Sequence, residues 1–203
     1  KVFYAESTST VLSLRTLNDA ASTFESQIYF FETLPPPNVA LANNFIDVFS
    51  NGDLRKSLWV SEVSNSNETF YRASKYKRRT AAQPLEFSVI LRIEEAYLIA
   101  AEASVRIGNF DDAELYFNTI HTRVGLNEFS SSDTQTWLEM ILQERKREFF
   151  TEFAHRFYDL KRLNKLHVLS ETKPNWQTYF DKLPLPEAEL QLNPNLQSQN
   201  VGY

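Results

Sequence analysis

Apolar residues fall into two regimes along the chain. Between about Leu85 and Leu169 they recur at three- and four-residue spacing, the period of helices packed on one face. Ile93, Ala96, Tyr97, Ala100, Ser104 and Ile107 follow that spacing, while Arg92, Glu95, Glu102 and Arg106 lie on a mostly polar stripe. Gly108 offers the left-handed position that stops a helix, and Asp111 and Asp112 place negative charge at the positive end of the next. Two helices joined so closely run antiparallel. In the second, Ala113, Tyr116, Phe117, Ile120 and Val124 form the apolar face, and Gly125 closes it. A third helix follows the serine-rich start SSSDTQTW, where Ser132 and Gln135 have capping-box spacing, and it carries Trp137, Ile141, Leu142, Phe149 and Phe153 inward.

The other regime occupies residues 1–83. Short apolar runs (ESQIYFFETL, NNFIDVF) alternate there with turn-rich stretches (LPPPN, SNGD, VSNSNE), which predicts loops with a few short helices or strands. The change of character at Gln83–Pro84 separates this loop-rich segment from a helical region, residues 84–203, within one compact unit. Tyr97, Ala101, Ala113 and Phe117 take the places where a tetratricopeptide repeat puts an aromatic, a small residue, an alanine and another aromatic. One well-formed repeat and a degenerate second pair fall short of the roughly three units a solenoid needs. The predicted fold is mainly α, with tetratricopeptide-like antiparallel helix pairs and long irregular loop segments.

Composition narrows the function classes. At 203 residues, 42% hydrophobic and 14% aromatic, the chain buries a real core. A net charge of -5 with scattered basic residues argues against nucleic acid, and the Lys75–Arg79 run KYKRR is too short to reverse that. No apolar stretch has the length of a membrane helix, and the start KVFYAEST shows no signal-peptide pattern. The absence of cysteine excludes disulfides, thiolate metal sites and a cysteine nucleophile; a lipid anchor also needs a cysteine that this chain lacks.

Three segments carry a resemblance: LRIEEAYLIAAEASVRIGNFDDAELYFNTIHTRVG, ILQERKREFFTEFAHRFYDLKRL and the terminal LPLPEAELQLNPNLQSQNVGY. In that order they resemble the carboxyl-terminal region of the SusD/RagB family of Bacteroidetes outer-membrane nutrient-binding lipoproteins. Leu183, Pro184, Pro186, Glu189, Asn193, Pro194, Leu196, Gln199, Asn200, Gly202 and Tyr203 match the family's closing pattern. Glu144, Arg145, Arg147, Glu148, Glu152, Arg156, Asp159, Leu160 and Arg162 match its charged helical run, with His155 where the family usually has glycine. The likeness extends over about residues 44–203, with NGDLRKSLW and KYKRR resembling family segments more loosely. It implies a SusD-like fold, a non-enzymatic protein and a fragment of a longer one. It further implies capture of oligosaccharide or another nutrient at the cell surface. Delivery to a TonB-dependent transporter of the SusC type and a lipid anchor outside this chain complete the picture.

The charged run has a reading of its own. Glu144 and Glu148 could serve as the carboxylate pair of a glycosidase, but such a pair straddles a substrate cleft, and neighbours on one helix rarely do. A ladder of ion pairs, Glu144 with Arg147, Glu152 with Arg156 and Arg156 with Asp159, explains the spacing better. His121, His155 and His167 show no metal-ligand spacing and read as helix-surface residues. A chain with four glycines has no G-x-S-x-G, P-loop or G-x-G-x-x-G, so no nucleophile, phosphate cradle or cofactor site is expected.

Aromatic residues divide by context. Tyr97, Phe117, Trp137, Phe149 and Phe153 lie on apolar helical faces and read as core. Trp59, Tyr71, Tyr76, Trp176 and Tyr179 stand in or beside polar segments, where a ring can either pack or stack on the apolar face of a sugar. Asn65, Asn67 and Arg72 offer hydrogen bonds to hydroxyls. The candidate ligand site is therefore Trp59, Tyr71, Arg72, Tyr76 and Trp176, with Trp59 leading. A helical-repeat module that binds a peptide is the competing function.

Overall fold

The structure is a computed structural model in which residues 2–18, 22–196 and 198–203 are described. It divides into two compact units, Lys1–Phe153 and Ala154–Tyr203. The first contains, in order, β1 (Thr10–Leu14), α1 (Phe24–Tyr29), α2 (Leu54–Trp59), β2 (Val60–Ser64), β3 (Thr69–Ala73), β4 (Ser88–Arg92), α3 (Ile93–Arg106), α4 (Phe110–His121) and α5 (Thr134–Glu148). The architecture is mainly α, as expected, with two small antiparallel sheets, β1 with β4 and β2 with β3. In the β2–β3 hairpin Val60 faces Ala73 and Ser64 faces Thr69. Asn65 Oδ1 closes its turn, accepting from Asn67 N (2.8 Å) and Glu68 N (3.0 Å), so that side chain is committed to the turn itself. Because β1 pairs with β4 across Gln83–Pro84, the shift in composition there marks no break in the fold.

The helix pair forms as its pattern predicts. Leu98, Ala101 and Val105 of α3 meet Ala113, Phe117 and Ile120 of α4, and Trp137, Ile141 and Phe149 complete the cluster. Ala101 and Ala113 are fully buried, since only a methyl group fits where the two backbones approach. Tyr97 packs edge-on against Tyr116, with ring centres 6.1 Å apart. Part of the predicted α3 stripe is displaced, however. Ile93 and Ile107 are exposed, and Glu94 and Glu102 take inward positions because Arg123 and Arg106 supply cationic partners. A second core cluster joins Phe3, Phe49, Trp59, Ala73, Val89 and Phe150, so the amino-terminal segment and the hairpin share one interior.

Caps fix the helix ends. Gly108 has φ 78° after α3, and the Asn109 side chain caps α4 by accepting from Asp112 N at 3.2 Å. The cap of α5 is Asp133, whose carboxylate accepts from Thr136 N at 2.7 Å; it lies one residue beyond the predicted Ser132. Gly125, at φ 87°, is left-handed, and a Cβ there would stand 3.0 Å from the Gly52 carbonyl oxygen. The charged run is not one helix. It breaks after Glu148, where Thr151, Phe153 and Ala154 have φ of 60°, 35° and 57°, values a right-handed helix cannot hold. Phe153 consequently faces outward at 52% exposure, against the expectation of a core position.

The second unit holds α6 (His155–Arg162), 3-10 turns at Leu166–Glu171 and Thr178–Asp181, and α7 (Glu187–Leu192). Its terminal stretch is clipped back onto residues 182–185. The Gln199 amide accepts from Leu185 N (2.6 Å) and donates to Leu185 O (2.9 Å), Asn200 Nδ2 donates to Leu183 O (2.7 Å), and Tyr203 Oη donates to Lys182 O (2.9 Å). Gly202, at φ 103°, lies flat on the Tyr179 ring, where an added Cβ would come within 2.3 Å of a ring carbon. These bonds are the physical content of the closing sequence pattern.

Candidate functional site

Buried charge dominates the first unit. Arg55, 1% exposed, is held by Asp53 (2.8 Å) and reaches Glu144 Oε1 (2.7 Å) and Glu148 Oε2 (2.9 Å) with a single nitrogen. Arg92 meets Glu94 (3.3 Å) and Glu152 (2.9 Å) and also bonds Glu148; Arg123 joins Glu148 (2.8 Å) and Glu94; Lys75 bonds Glu152 and the Glu148 carbonyl oxygen. Arg147 and His121 complete the shell of Glu144, each at 3.0 Å. Burial alone would raise the Glu144 carboxyl. The hydrogen bond with His121 and the charges of Arg55 and Arg147 outweigh it and bring the pKa to about 2. Glu148 is likewise driven well below the usual carboxylate range, because Arg92, Arg123 and Arg55 overcome its desolvation.

This geometry revises the ladder. Glu144 with Arg147 is present, but Glu152 pairs with Lys75 and Arg92 from distant segments. His121 is 8% exposed, stacked on Phe117 and bonded to Glu144, so it is an interior residue and not a helix-surface one. Both carboxylates of the would-be catalytic pair are fully buried, and every one of their oxygens is bonded to a cation or to His121. Buried and held below the usual carboxylate range, neither carboxyl is placed to pass a proton to a leaving group. Among the described residues no cluster has metal-binding geometry.

The predicted ligand residues separate into three places. Trp59 and Tyr76 enter the second core cluster, both against Phe3, with ring centres 5.7 Å and 4.7 Å away. Trp59 is 9% exposed, with the Lys75 ammonium 4.8 Å from its ring, and Tyr76 Oη accepts from Val89 N at 2.9 Å. The expected sugar platform at Trp59 is thus an interior wall, because the polar residues around it in sequence turn outward while its own ring turns in. The cavity beside it, lined by Phe3, Tyr4, Leu58 and Lys75 among others, measures about 130 Å³. That is well below the roughly 300–1,000 Å³ of ordinary ligand pockets.

Tyr71 and Arg72 are half-buried neighbours on β3, with the Tyr71 carbonyl bonded to Leu41 N at 2.8 Å. Trp176, also half-buried, belongs to the second unit and packs edge-on against Phe180 at 5.6 Å. Arg72 has company that its sequence neighbourhood does not announce. Its guanidinium carbon lies 4.2 Å from the centre of the Phe30 ring, and that of Arg79 lies 4.1 Å from the same centre. Arg72 Nη1 donates to Phe31 O, and Arg79 Nη1 donates to Ser26 O at 2.8 Å. The one advance sign of this arrangement is that FF at 30–31 and the KYKRR run both interrupt polar loops.

Comparison with known proteins agrees with this architecture. The profile of the SusD family matches residues 61–169. A SusD-like protein of Formosa agariphila is 28% identical over 193 residues, spanning 86% of this chain and 34% of the relative. A solved SusD superfamily protein of Bacteroides vulgatus superimposes with a TM-score of 0.76 at 20% identity, over 98% of this chain and 52% of its own. Surface glycan-binding protein A of Bacteroides thetaiotaomicron gives 0.71 at 19%, over 98% and 53%. At such identities the structural likeness is one of fold. The chain spans about a third of its curated relative and about half of the solved ones. With a profile match that spans more than half of it and takes in the helix pair and the charged residues from Lys75 to Glu152, the chain belongs to the SusD family.

Proposed function

We propose that this chain is part of a nutrient-binding protein that holds oligosaccharides at the bacterial cell surface and passes them to a TonB-dependent transporter of the SusC type. Membership of the SusD family carries the reading. The ligand class is supported by a solved relative that is named a surface glycan-binding protein. A binding role without covalent chemistry is supported by the state of Glu144 and Glu148. A glycosidase pair must flank the scissile bond with one group able to carry a proton, and these two are sealed under Arg55 and ionised. Attachment to the outer membrane through a lipid anchor outside this chain fits the same family.

Tyr71 and Arg72 on the hairpin are the proposed ligand contacts of the first unit, and Trp176 is a separate candidate in the second, because each residue is only partly buried. Trp59 and Tyr76 support the hairpin from behind. The reading is tested by screening the chain and its full-length parent on a panel of oligosaccharides by calorimetry, beside a hydrolysis assay. Co-purification with a SusC-like transporter of the source organism tests delivery. Saturable binding without hydrolysis is expected; turnover of any oligosaccharide, or no binding by the full-length protein, overturns the reading.

A further inference from the structure

Arg72 and Arg79 differ from the cations of the buried charge cluster. Arg55, Lys75, Arg92, Arg123 and Arg147 each meet a carboxylate. Among the described residues neither Arg72 nor Arg79 has one within ion-pair distance; each is held instead by a backbone carbonyl oxygen and by the Phe30 ring. Two like charges placed within about 6 Å of one ring are each attracted to its face, yet they repel one another. Desolvation and the charge of Arg79 both push the Arg72 guanidinium down, against the pull of Glu32. Glu32 is exposed, and one carboxylate against two guanidinium groups leaves the patch positive.

The donors are also underused. A guanidinium carries five N–H groups in a planar fork suited to bidentate oxyanions. Arg72 Nε is buried and has no acceptor. Arg79 gives Nη1 to Ser26, which leaves the rest of its fork unengaged on an exposed loop. That loop is not slack: Gln83 Oε1 accepts from Arg79 N and from Thr80 N (3.0 Å), and Gln83 O accepts from Arg78 Nη1 (2.6 Å). The cations are thus positioned before any ligand arrives, and an anion bound against both would relieve their repulsion.

We infer that Arg72 and Arg79, splinted on Phe30, form an oxyanion site that reads a sulfate or carboxylate group on the saccharide, so that the ligand is an acidic glycan. The inference rests on the glycan-binding reading and deepens it. A neutral sugar leaves both charges uncompensated; an acidic one neutralises them and uses the open donors of Arg79.

The test has two arms on the intact chain. In the first, sodium sulfate is titrated while the arginine side-chain resonances are followed by NMR. Saturable shifts at Arg72 and Arg79, lost in Arg79→Ala, are expected, and their absence overturns the site whatever the glycan result. In the second, sulfated, uronate-bearing and neutral oligosaccharides of equal length are compared by calorimetry. At least one acidic class should bind about tenfold tighter than the neutral one, the equivalent of one charge-assisted hydrogen bond. Arg79→Ala should erase that preference, and Arg79→Lys should restore part of it, since lysine keeps the charge but not the fork. Neutral and acidic sugars weakened alike by Arg79→Ala would overturn the charge assignment while leaving glycan binding intact. Sulfate binding with no oligosaccharide bound would uphold the anion site and sink the glycan reading.

Discussion

Arg55 Nη1 lies 2.7 Å from Glu144 Oε1 and joins two residues 89 positions apart in sequence. The same nitrogen bonds Glu148 at 2.9 Å, so one side chain compensates two buried carboxylates. Arg55→Met should therefore cost about 3–5 kcal/mol, the penalty of stranding buried charge, and not the small loss expected of a surface pair. Chemical denaturation measures it, and a loss under about 1 kcal/mol would mean that water reaches the cluster.

Acid should loosen the fold late and then steeply. Because the Glu144 carboxyl sits at about 2 in the fold against an ordinary 4.5, its contribution is complete above 4.5 and is lost as pH falls through about 2. Glu148 and Glu152, also depressed, act in the same direction. Glu144→Gln should flatten the acid limb of a stability-versus-pH curve; an unchanged slope would place the titration elsewhere.

Lys75 acts in the opposite sense. Burial lowers its ammonium to about 8 from 10.5 despite the pull of Glu152. Between those values the unfolded chain holds the extra proton, so this group's contribution to stability rises with pH across that window. Thermal melts of the parent and Lys75→Met should diverge there. Lys75→Met itself should be mild, since Glu152 keeps Arg92 at 2.9 Å and 3.0 Å.

The helix crossing has no room to spare. Ala101→Leu or Ala113→Leu should cost about 1–3 kcal/mol by overpacking. Parent-like melting of both variants would refute the close approach of α3 and α4.

Trp59→Ala should act on folding before it acts on binding. Removing a buried indole that packs on Phe3 and Phe150 should cost about 3–5 kcal/mol. A variant with parental stability and lost oligosaccharide affinity would return Trp59 to the ligand surface.

Local order was legible where a residue's role depends on its near neighbours. The spacing of Ala101, Ala113 and Phe117 and the stop at Gly108 rest on backbone period and turn chemistry, which sequence displays directly. The stop after Glu148 was not legible, because Thr151, Phe153 and Ala154 adopt left-handed dihedrals that no glycine announces. The ion pairs of Arg55, Lys75 and Arg92 were not legible, since their partners lie dozens of positions away. Trp59 stayed open to packing or stacking for a related reason: polar neighbours in sequence say little about which way one ring turns in a helix end beside a hairpin. Arg72 was legible as a polar contact, whereas its pairing with Arg79 over Phe30 depends on a strand, a helix end and a loop meeting.

The salt cluster has a consequence for anyone cutting this polypeptide. The composition change at Gln83–Pro84 invites expression of the helical half alone, yet such a product would carry Glu144, Glu148 and Glu152 without Arg55 and Lys75. The reciprocal piece would leave Lys75 without Glu152 and Arg55 with Asp53 alone. Neither clone would inherit a neutral interior, so the sequence's most visible seam is the wrong place for a truncation.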